Sequence, residues 1–254
     1  LGDVYKRQEY VGTNMNKEKL LYENSKHALQ SDNIIAITNR HLCSRPFMEQ
    51  LERVCKLHPH AIVLREKDMP EAEYLSLARD VIALCKKYDV PCMLHSFINV
   101  AMELEHPYIH LPLPILEAYV KKNVSGNIST GMSKSTDNYQ QFFKVIGTSI
   151  HSVEDAIKAE QLGATYMTAG HIFATDCKKG LPPRGLDFLK NVCDAVGIPV
   201  YAIGGINIAS SDDSTASDSP SAYDAMPDIS VPRLADVMKC GAAGGCIMSG
   251  MMRV

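Results

Sequence analysis

Short apolar runs recur along the chain, and a segment with helical periodicity follows most of them. Eight runs are apolar on both faces, which is typical of strands in a parallel sheet covered by helices. The runs are IIAIT (34–38), AIVLR (61–65), PCMLH (91–95), YIHL (108–111), KVIGTS (144–149), TYMTA (165–169), PVYAI (199–203) and GCIMS (245–249). The pattern therefore predicts eight parallel strands that alternate with helices.

The helical segments between these runs carry one apolar face. In the longest, six residues recur at the three- and four-residue spacing of a buried face: Tyr74, Leu77, Ala78, Val81, Ile82 and Cys85. After the fifth run, Ser152 is suited to cap a helix, from which Val153, Ala156 and Ile157 are predicted to point inward. Eight alternations predict an α/β fold of the (β/α)8 TIM-barrel type, and a doubly wound open sheet is the alternative.

The ends of the chain and two polar segments interrupt this alternation. We expect residues 1–30 to be an N-terminal tail, in which residues 1–8 resemble a translated sequencing adapter, and residues 31–254 to form one barrel domain. Segments near 123–141 and 208–229 are poor in apolar residues and are predicted to be flexible insertions. Only four residues follow Gly250, so an eighth helix is expected to be missing.

Composition narrows the class of protein. The 254 residues carry a formal net charge of -3, which gives no general basic surface for nucleic acid. No apolar segment reaches membrane-spanning length and no signal peptide is visible, so no membrane association is expected. Eight scattered cysteines without a C-x-x-C pair are typical of reduced thiols in the cytoplasm, with no metal site. A homo-oligomer is compatible with the sequence.

Reactive and cationic side chains follow several of the predicted strands. Because the carboxyl ends of barrel strands converge on one mouth, we expect these side chains to meet there. The cations are Arg65, Lys67 and Lys178, and His95, Ser149, Thr175 and Cys177 are expected to line the same pocket. A mouth with these cations is suited to binding an anion.

Two glycine-containing turns follow the last two predicted strands. AIGGI contains Gly204 and Gly205, and CIMSG contains Ser249 and Gly250. Glycine lets backbone N–H groups approach an oxyanion closely, and the loops after strands seven and eight commonly bind phosphate. Turns also use Gly-Gly routinely, but two such turns in these positions favour a phosphate pocket.

His171 lies in TAGHIFATDCKKGLPPRG (168–185), between a predicted strand and a lysine-rich loop. An imidazole can both remove and return a proton near neutral pH, which suits it to general acid/base catalysis. A half-buried structural histidine is the alternative. Cys177 could be a nucleophile if Lys178 lowers its pKa, although no orienting base is evident and it is expected to line the loop.

Five segments, in order, resemble the thiamin phosphate synthase superfamily: LREKDM, IGTSIHSVEDAIKAEQLGATYM, GHIFATDCKKG, YAIGGI and GAAGGCIMSG. GHIFATDCKKGLPPRG is most similar to the TenI type, the thiazole tautomerases. The resemblance implies a (β/α)8 barrel that binds a thiazole phosphate, with His171 as the acid/base. It also implies phosphate contacts from Gly204, Gly205, Ser249 and Gly250, and it matches Arg65, Lys67 and Lys178 to pyrophosphate-binding positions.

Departures from the synthase pattern decide between the branches of this superfamily. The synthases hold magnesium with an Asn-Asp pair after strand three and an acid after strand four, where this chain has His95-Ser96 and the prolines Pro112 and Pro114. The sequence therefore predicts a cofactor-free isomerase that converts carboxythiazole phosphate through His171. The alternatives are a magnesium-dependent synthase that joins hydroxymethylpyrimidine pyrophosphate to thiazole phosphate, and a non-catalytic regulatory barrel.

Overall fold

The computed structural model describes residues 33–125, 142–175, 178, 180–208 and 231–254. Its strands are β1 (Ile34–Ile37), β2 (Ala61–Leu64), β3 (Cys92–His95), β4 (Tyr108–Pro112), β5 (Val145–Ile150), β6 (Tyr166–Gly170), β7 (Val200–Ile203) and β8 (Gly244–Ile247). Its helices are α1 (Phe47–Lys56), α2 (Glu71–Lys87), α3 (Ile98–Glu103), α4 (Leu113–Ser125), α5 (Val153–Gln161), α6 (Gly185–Ala195) and α7 (Leu234–Lys239). A short 3-10 helix, Arg40–Leu42, follows β1.

The eight strands form one closed parallel barrel. Each strand pairs with the next along the chain, and β8 pairs with β1, where Ile35 lies opposite Cys246. The (β/α)8 prediction is therefore confirmed, and the closed ladder excludes a doubly wound open sheet. After β8, residues 248–254 form turns, and the side-chain amide of Gln50 in α1 donates to the carbonyl of Met251 at 2.8 Å.

The polar segments predicted from composition fall mostly beyond the described residues. The N-terminal tail of residues 1–30 and most of the insertion near 208–229 lie outside them. α4 extends to Ser125, so the start of the insertion near 123–141 is helical, and the remainder lies outside the described residues as far as position 141. In the part of the chain that is described, no helix has both the length and the apolar character needed to cross a bilayer.

The core consists of two layers, because successive side chains of a strand face opposite sides of the sheet. One layer packs between the strands and the surrounding helices. The other fills the barrel interior and includes Ile35, Val63, Met93, Tyr166 and Tyr201. Together the two layers bury both faces of every strand, as the apolar runs in the sequence predicted.

α2 shows how a helix is attached to the barrel. Of its predicted apolar face, Tyr74, Ala78, Val81 and Cys85 are buried, and the other two residues are partly buried. The Tyr74 hydroxyl donates to the Leu64 carbonyl at 2.6 Å and accepts from the backbone N–H of His95 at 2.9 Å. One side chain therefore joins α2 to the ends of β2 and β3, directly below the barrel mouth.

The α5 prediction is confirmed at its cap and wrong at one position. The Ser152 hydroxyl accepts from the backbone N–H of Asp155 at 3.0 Å, as a capping serine does. Ala156 is buried, but Ile157 is 40% exposed. Each helical residue turns the chain by about 100°, and the buried face of this short helix runs through Ala156 and Ala159, so Ile157 lies beyond its edge.

Gly147 in β5 leaves room for the tyrosine that fills the barrel interior. A Cβ atom at this position would lie 2.1 Å from Cζ of Tyr166, far inside contact distance. Tyr166 is buried, and its ring lies edge-on to that of Tyr201. The missing side chain of Gly147 is therefore part of the interior packing.

Replacing Gly147 by alanine should destabilise the barrel. The added methyl group must displace Tyr166, and overpacking of this kind costs about 1–3 kcal/mol of the free energy of unfolding. Urea denaturation followed by circular dichroism measures the loss. Gly197→Ala is the matched control, because its Cβ would meet only the Glu160 carboxylate, at an ordinary 3.4 Å. Equal urea midpoints for the two variants would show that the interior tolerates the methyl group.

Candidate active site

A cavity of about 580 Å³ opens at the carboxyl ends of the strands. Most of the predicted site residues line it together: Arg65, Lys67, His95, Ser149, His171, Thr175, Lys178, Gly204, Gly205 and Ser249. Gly250 is not part of the lining, and a Cβ added there would meet Ile247 and Ile208. Cys177 lies outside the described residues. The structure therefore brings these side chains into one pocket, while the role of each remains a prediction.

Arg65 and Lys67 line the pocket from the segment that follows β2, and Glu66 between them faces the other way. The Glu66 carboxylate is buried and accepts from the Thr38 hydroxyl at 2.7 Å and from the guanidinium of Arg40 at 3.0 Å. Within the described part of the chain, neither Arg65 nor Lys67 forms an ion pair. Lys67 is exposed, but partial desolvation at the rim and then the neighbouring Arg65 lower its pKa. The sequence Arg-Glu-Lys therefore presents two unpaired cations to the pocket.

The carboxylates near the mouth are bonded to protein groups. Asp68 pairs with Arg40 at 2.6 Å, and the hydrogen bonds from Arg40 and His41 hold its pKa well below the ordinary value. In the lining itself, Asp155 accepts from the backbone N–H of His151 at 3.1 Å, and Glu117 pairs with Lys158 at 2.7 Å. The lining therefore has an excess of unpaired positive charge.

Two stacked histidines form the floor of the pocket. The rings of His95 in β3 and His110 in β4 lie 5.6 Å apart and nearly parallel. The two ring nitrogens of His110 hydrogen-bond to the hydroxyls of Tyr166 and Ser149, each at 2.9 Å. Burial, followed by the nearby Lys67 and Arg65, lowers the pKa of His110 to about 3. Burial and then His110 lower that of His95 to about 2. Both imidazoles are therefore neutral at physiological pH.

Sequence reasoning missed His110, although a signal for it was present. Ile109 and Leu111 on either side are apolar and buried against the helices, so the period of two in a strand places His110 toward the barrel interior. The register then sets it beside His95 on the neighbouring strand. Glu66 and Arg40 were also missed, because their pairing joins the segments after β1 and β2, which are 26 positions apart in sequence.

His171 follows β6 and is buried in the pocket wall. Neither of its ring nitrogens has a hydrogen-bond partner among the described residues, and only 6% of the residue is exposed. A Cβ at Gly204 would lie 2.6 Å from Cβ of His171, and Gly204 has a φ of 103°. The glycine turn after β7 therefore allows close packing against His171 as well as the backbone conformation of the turn.

The two buried neutral histidines should make the free energy of unfolding depend on pH. The two rings take up protons in the unfolded chain near the ordinary pKa of 6.5, but in the fold only near 3 and 2. Stability should therefore be complete above about pH 6.5 and fall progressively below it, by up to about 1.4 kcal/mol per pH unit for each histidine. Urea denaturation between pH 6.5 and 5 measures this slope.

Two variants assign the slope to the buried rings. His110→Asn removes one of the two rings and should reduce the slope by about half, whatever its effect on stability at neutral pH. His58→Asn removes an exposed histidine and should leave the slope as in the wild type. If the slope of His110→Asn matched that of His58→Asn, His110 would not contribute to the slope.

The fold and the pocket define a (β/α)8 barrel with a cationic mouth. The model of the family described as thiamine monophosphate synthase matches residues 34–218, and the chain belongs to this family.

Named relatives agree with this assignment. The chain is 35% identical over 173 residues to the "Putative thiamine-phosphate synthase 2" of Aquifex aeolicus, covering 68% of this chain and 84% of that protein. It is 30% identical over 175 residues to the thiamine-phosphate synthase of Caldanaerobacter subterraneus, covering 68% and 75%. A solved thiamine phosphate pyrophosphorylase from Pyrococcus furiosus superposes with a TM-score of 0.60 at 24% identity, covering 87% and 88% of the chains, and supports the fold alone.

The prediction of a thiazole tautomerase, an isomerase acting through His171, is wrong. The relatives carry the name of the synthase, so the chain is grouped with enzymes of thiamin biosynthesis and not with isomerases. The physical reason is that a histidine at a strand end does not specify a reaction, since the same ring can transfer a proton, bind an anion or pack in a wall. The motif around His171 thus carried more weight than its chemistry supports.

The family implies a magnesium ion, and the described residues do not fit one. They contain no group of three histidine, cysteine or acidic residues placed to hold a metal. At the two positions where the synthase pattern has ligands, the Ser96 hydroxyl is bonded to Nδ1 of His95 at 2.7 Å, and β4 ends in Pro112. Magnesium prefers oxygen ligands, above all carboxylates; of the two in this lining, Glu117 pairs with Lys158 and Asp155 accepts from the backbone N–H of His151 through Oδ2.

Proposed function

We propose that the protein is a transferase of the thiamine-phosphate synthase type, which joins hydroxymethylpyrimidine pyrophosphate to thiazole phosphate and releases pyrophosphate. The observation that carries this proposal is the pair of unpaired cations, Arg65 and Lys67, at the mouth of a barrel whose relatives are named synthases. Both substrates bear phosphate groups, and the pocket offers separate sets of groups for two anions.

The first set is cationic and suits the diphosphate of the pyrimidine substrate. Arg65 and Lys67 line the pocket after β2, and Lys178 lines it from the loop after β6. Departure of pyrophosphate leaves negative charge on the leaving group, and guanidinium and ammonium groups stabilise such charge through short, charge-assisted hydrogen bonds. These three side chains therefore bind the diphosphate and stabilise it as it departs.

The second set consists of turns and suits the single phosphate of the thiazole substrate. Gly204, Gly205 and Ser249 line the pocket after β7 and β8. Among the described residues, no acceptor takes a hydrogen bond from their backbone N–H groups. Such N–H groups in tight turns form concave anion sites. The Ser249 hydroxyl donates to Oδ1 of Asn207 at 3.2 Å, and it becomes a donor to phosphate only by exchanging that acceptor for a phosphate oxygen.

The floor is neutral and suits an uncharged ring. Neutral His110 is bonded to Ser149, whose hydroxyl accepts from the Thr168 hydroxyl at 3.0 Å. A second anion would find no positive charge at this depth, whereas a heterocycle can exchange hydrogen bonds with these groups and with the unpartnered ring of His171. The gradient from a cationic mouth to a neutral floor therefore orients a phosphorylated heterocycle with its phosphate outward.

Removing one mouth cation should impair the reaction. Arg65→Gln loses one charge-assisted contact, worth about 1.5–3 kcal/mol, and kcat/KM for thiamin phosphate formation should fall about 10- to 100-fold. Chromatography of the product formed from the two substrates measures the rate. Lys121→Gln, on the exposed face of α4, is the control and should match the wild type.

Two results would contradict the proposed function. One is full activity of Arg65→Gln. The other is a wild-type protein that binds thiazole phosphate but forms no thiamin phosphate with or without added magnesium, which would indicate a binding barrel.

A further inference from the structure

We infer that this pocket binds the phosphate groups of its ligand by direct contact with Arg65 and Lys67, with no divalent cation between protein and ligand. The inference takes the diphosphate as ligand from the proposed function. It concerns how the pocket holds the anion and does not require that the transfer reaction occurs.

The first argument is the position of Glu66, the carboxylate nearest to the two cations in sequence. Glu66 is only 2% exposed. Its carboxylate oxygens accept hydrogen bonds from the Thr38 hydroxyl and from both the backbone N–H and the guanidinium of Arg40. Turning it into the pocket would break these bonds and leave Arg40 partly buried without this partner. Removing one member of such a pair is costly, so Glu66 is not available to hold a metal.

The second argument is the chemistry of the groups at the ends of β3 and β4. His95 is bonded to Ser96, and His110 uses both ring nitrogens on hydroxyl groups. A hard cation such as magnesium prefers oxygen and keeps several waters, so this neutral, imidazole-lined floor holds it poorly. Nε2 of His95 has no recorded hydrogen bond to a described residue, and as a donor it can contact a phosphate oxygen directly.

The third argument is the repulsion between the two cations. Besides partial desolvation, the positive charge of Arg65 lowers the pKa of the exposed Lys67, so the two charges destabilise each other without an anion. A phosphate placed between them relieves this repulsion, whereas a magnesium ion would add to it. The pocket is therefore complementary to a free polyanion and not to its magnesium complex.

Isothermal titration of the wild-type protein with inorganic pyrophosphate tests the inference. We expect pyrophosphate to bind in EDTA, and excess magnesium chloride to leave the dissociation constant unchanged or to raise it, because magnesium withdraws free pyrophosphate. Binding about tenfold or more tighter in magnesium than in EDTA would overturn the inference. Absence of binding under both conditions would overturn it as well.

Variants locate the contacts. In EDTA, Arg65→Gln and Lys67→Gln should each raise the dissociation constant about tenfold or more. With magnesium present, Asp155→Asn removes a lining carboxylate that a bridging metal would use, and it should not weaken binding; the distant Lys121→Gln should leave binding unchanged. Thermal unfolding of each variant confirms that it is folded. Loss of binding in Asp155→Asn alone, or unchanged binding in both cation variants, would contradict direct contact.

The outcomes separate this inference from the proposed function. Pyrophosphate binding in EDTA without formation of thiamin phosphate would overturn the synthase proposal and support direct contact. Synthase activity together with magnesium-dependent pyrophosphate binding would support the synthase proposal and overturn direct contact.

Discussion

Alternation of side chains along eight parallel strands is the constraint on which the rest of this structure depends. Once β8 pairs with β1, every strand residue faces either the barrel interior or the helices. The same alternation continues just beyond β2, where Arg65 and Lys67 line the pocket and Glu66 turns to Arg40. A shift of one residue in that segment would place a carboxylate in the mouth and bury two cations, which would reverse the charge of the site.

The electrostatics of the pocket follow from this arrangement. Cations at the mouth retain access to solvent and to ligand, while His95 and His110 below them are buried and therefore neutral. The positive charges of Lys67 and Arg65 further disfavour protonation of the two imidazoles, so the cations help to keep the floor neutral. The interior network also connects the site to the packing, since Tyr166 both fills the space left by Gly147 and hydrogen-bonds His110.

Membership of the family indicates a magnesium-dependent reaction, but the residues of the pocket do not match the magnesium ligands of the synthase pattern. The family and the named relatives indicate thiamin phosphate synthesis, yet the positions where the synthase pattern has magnesium ligands hold His95, Ser96 and Pro112. The resemblance assigns Arg65 and Lys67 to pyrophosphate-binding positions, and neither forms an ion pair with a described residue. A pocket can carry the anion-binding side chains and lack the metal ligands, because the two sets of side chains follow different strands.

The sequence by itself determined the strands, the barrel and most of the pocket lining, because period-two burial and the convergence of strand ends are local rules that apply at every repeat. It did not select the reaction, since the motif around His171 is compatible with several chemistries. Only the tertiary structure decided that Glu66 is bonded to Arg40, that His110 stacks on His95, and that Ile157 is exposed. Those outcomes depend on partners distant in the chain or on the angle at which a helix meets the barrel, and neither is encoded in a short window of residues.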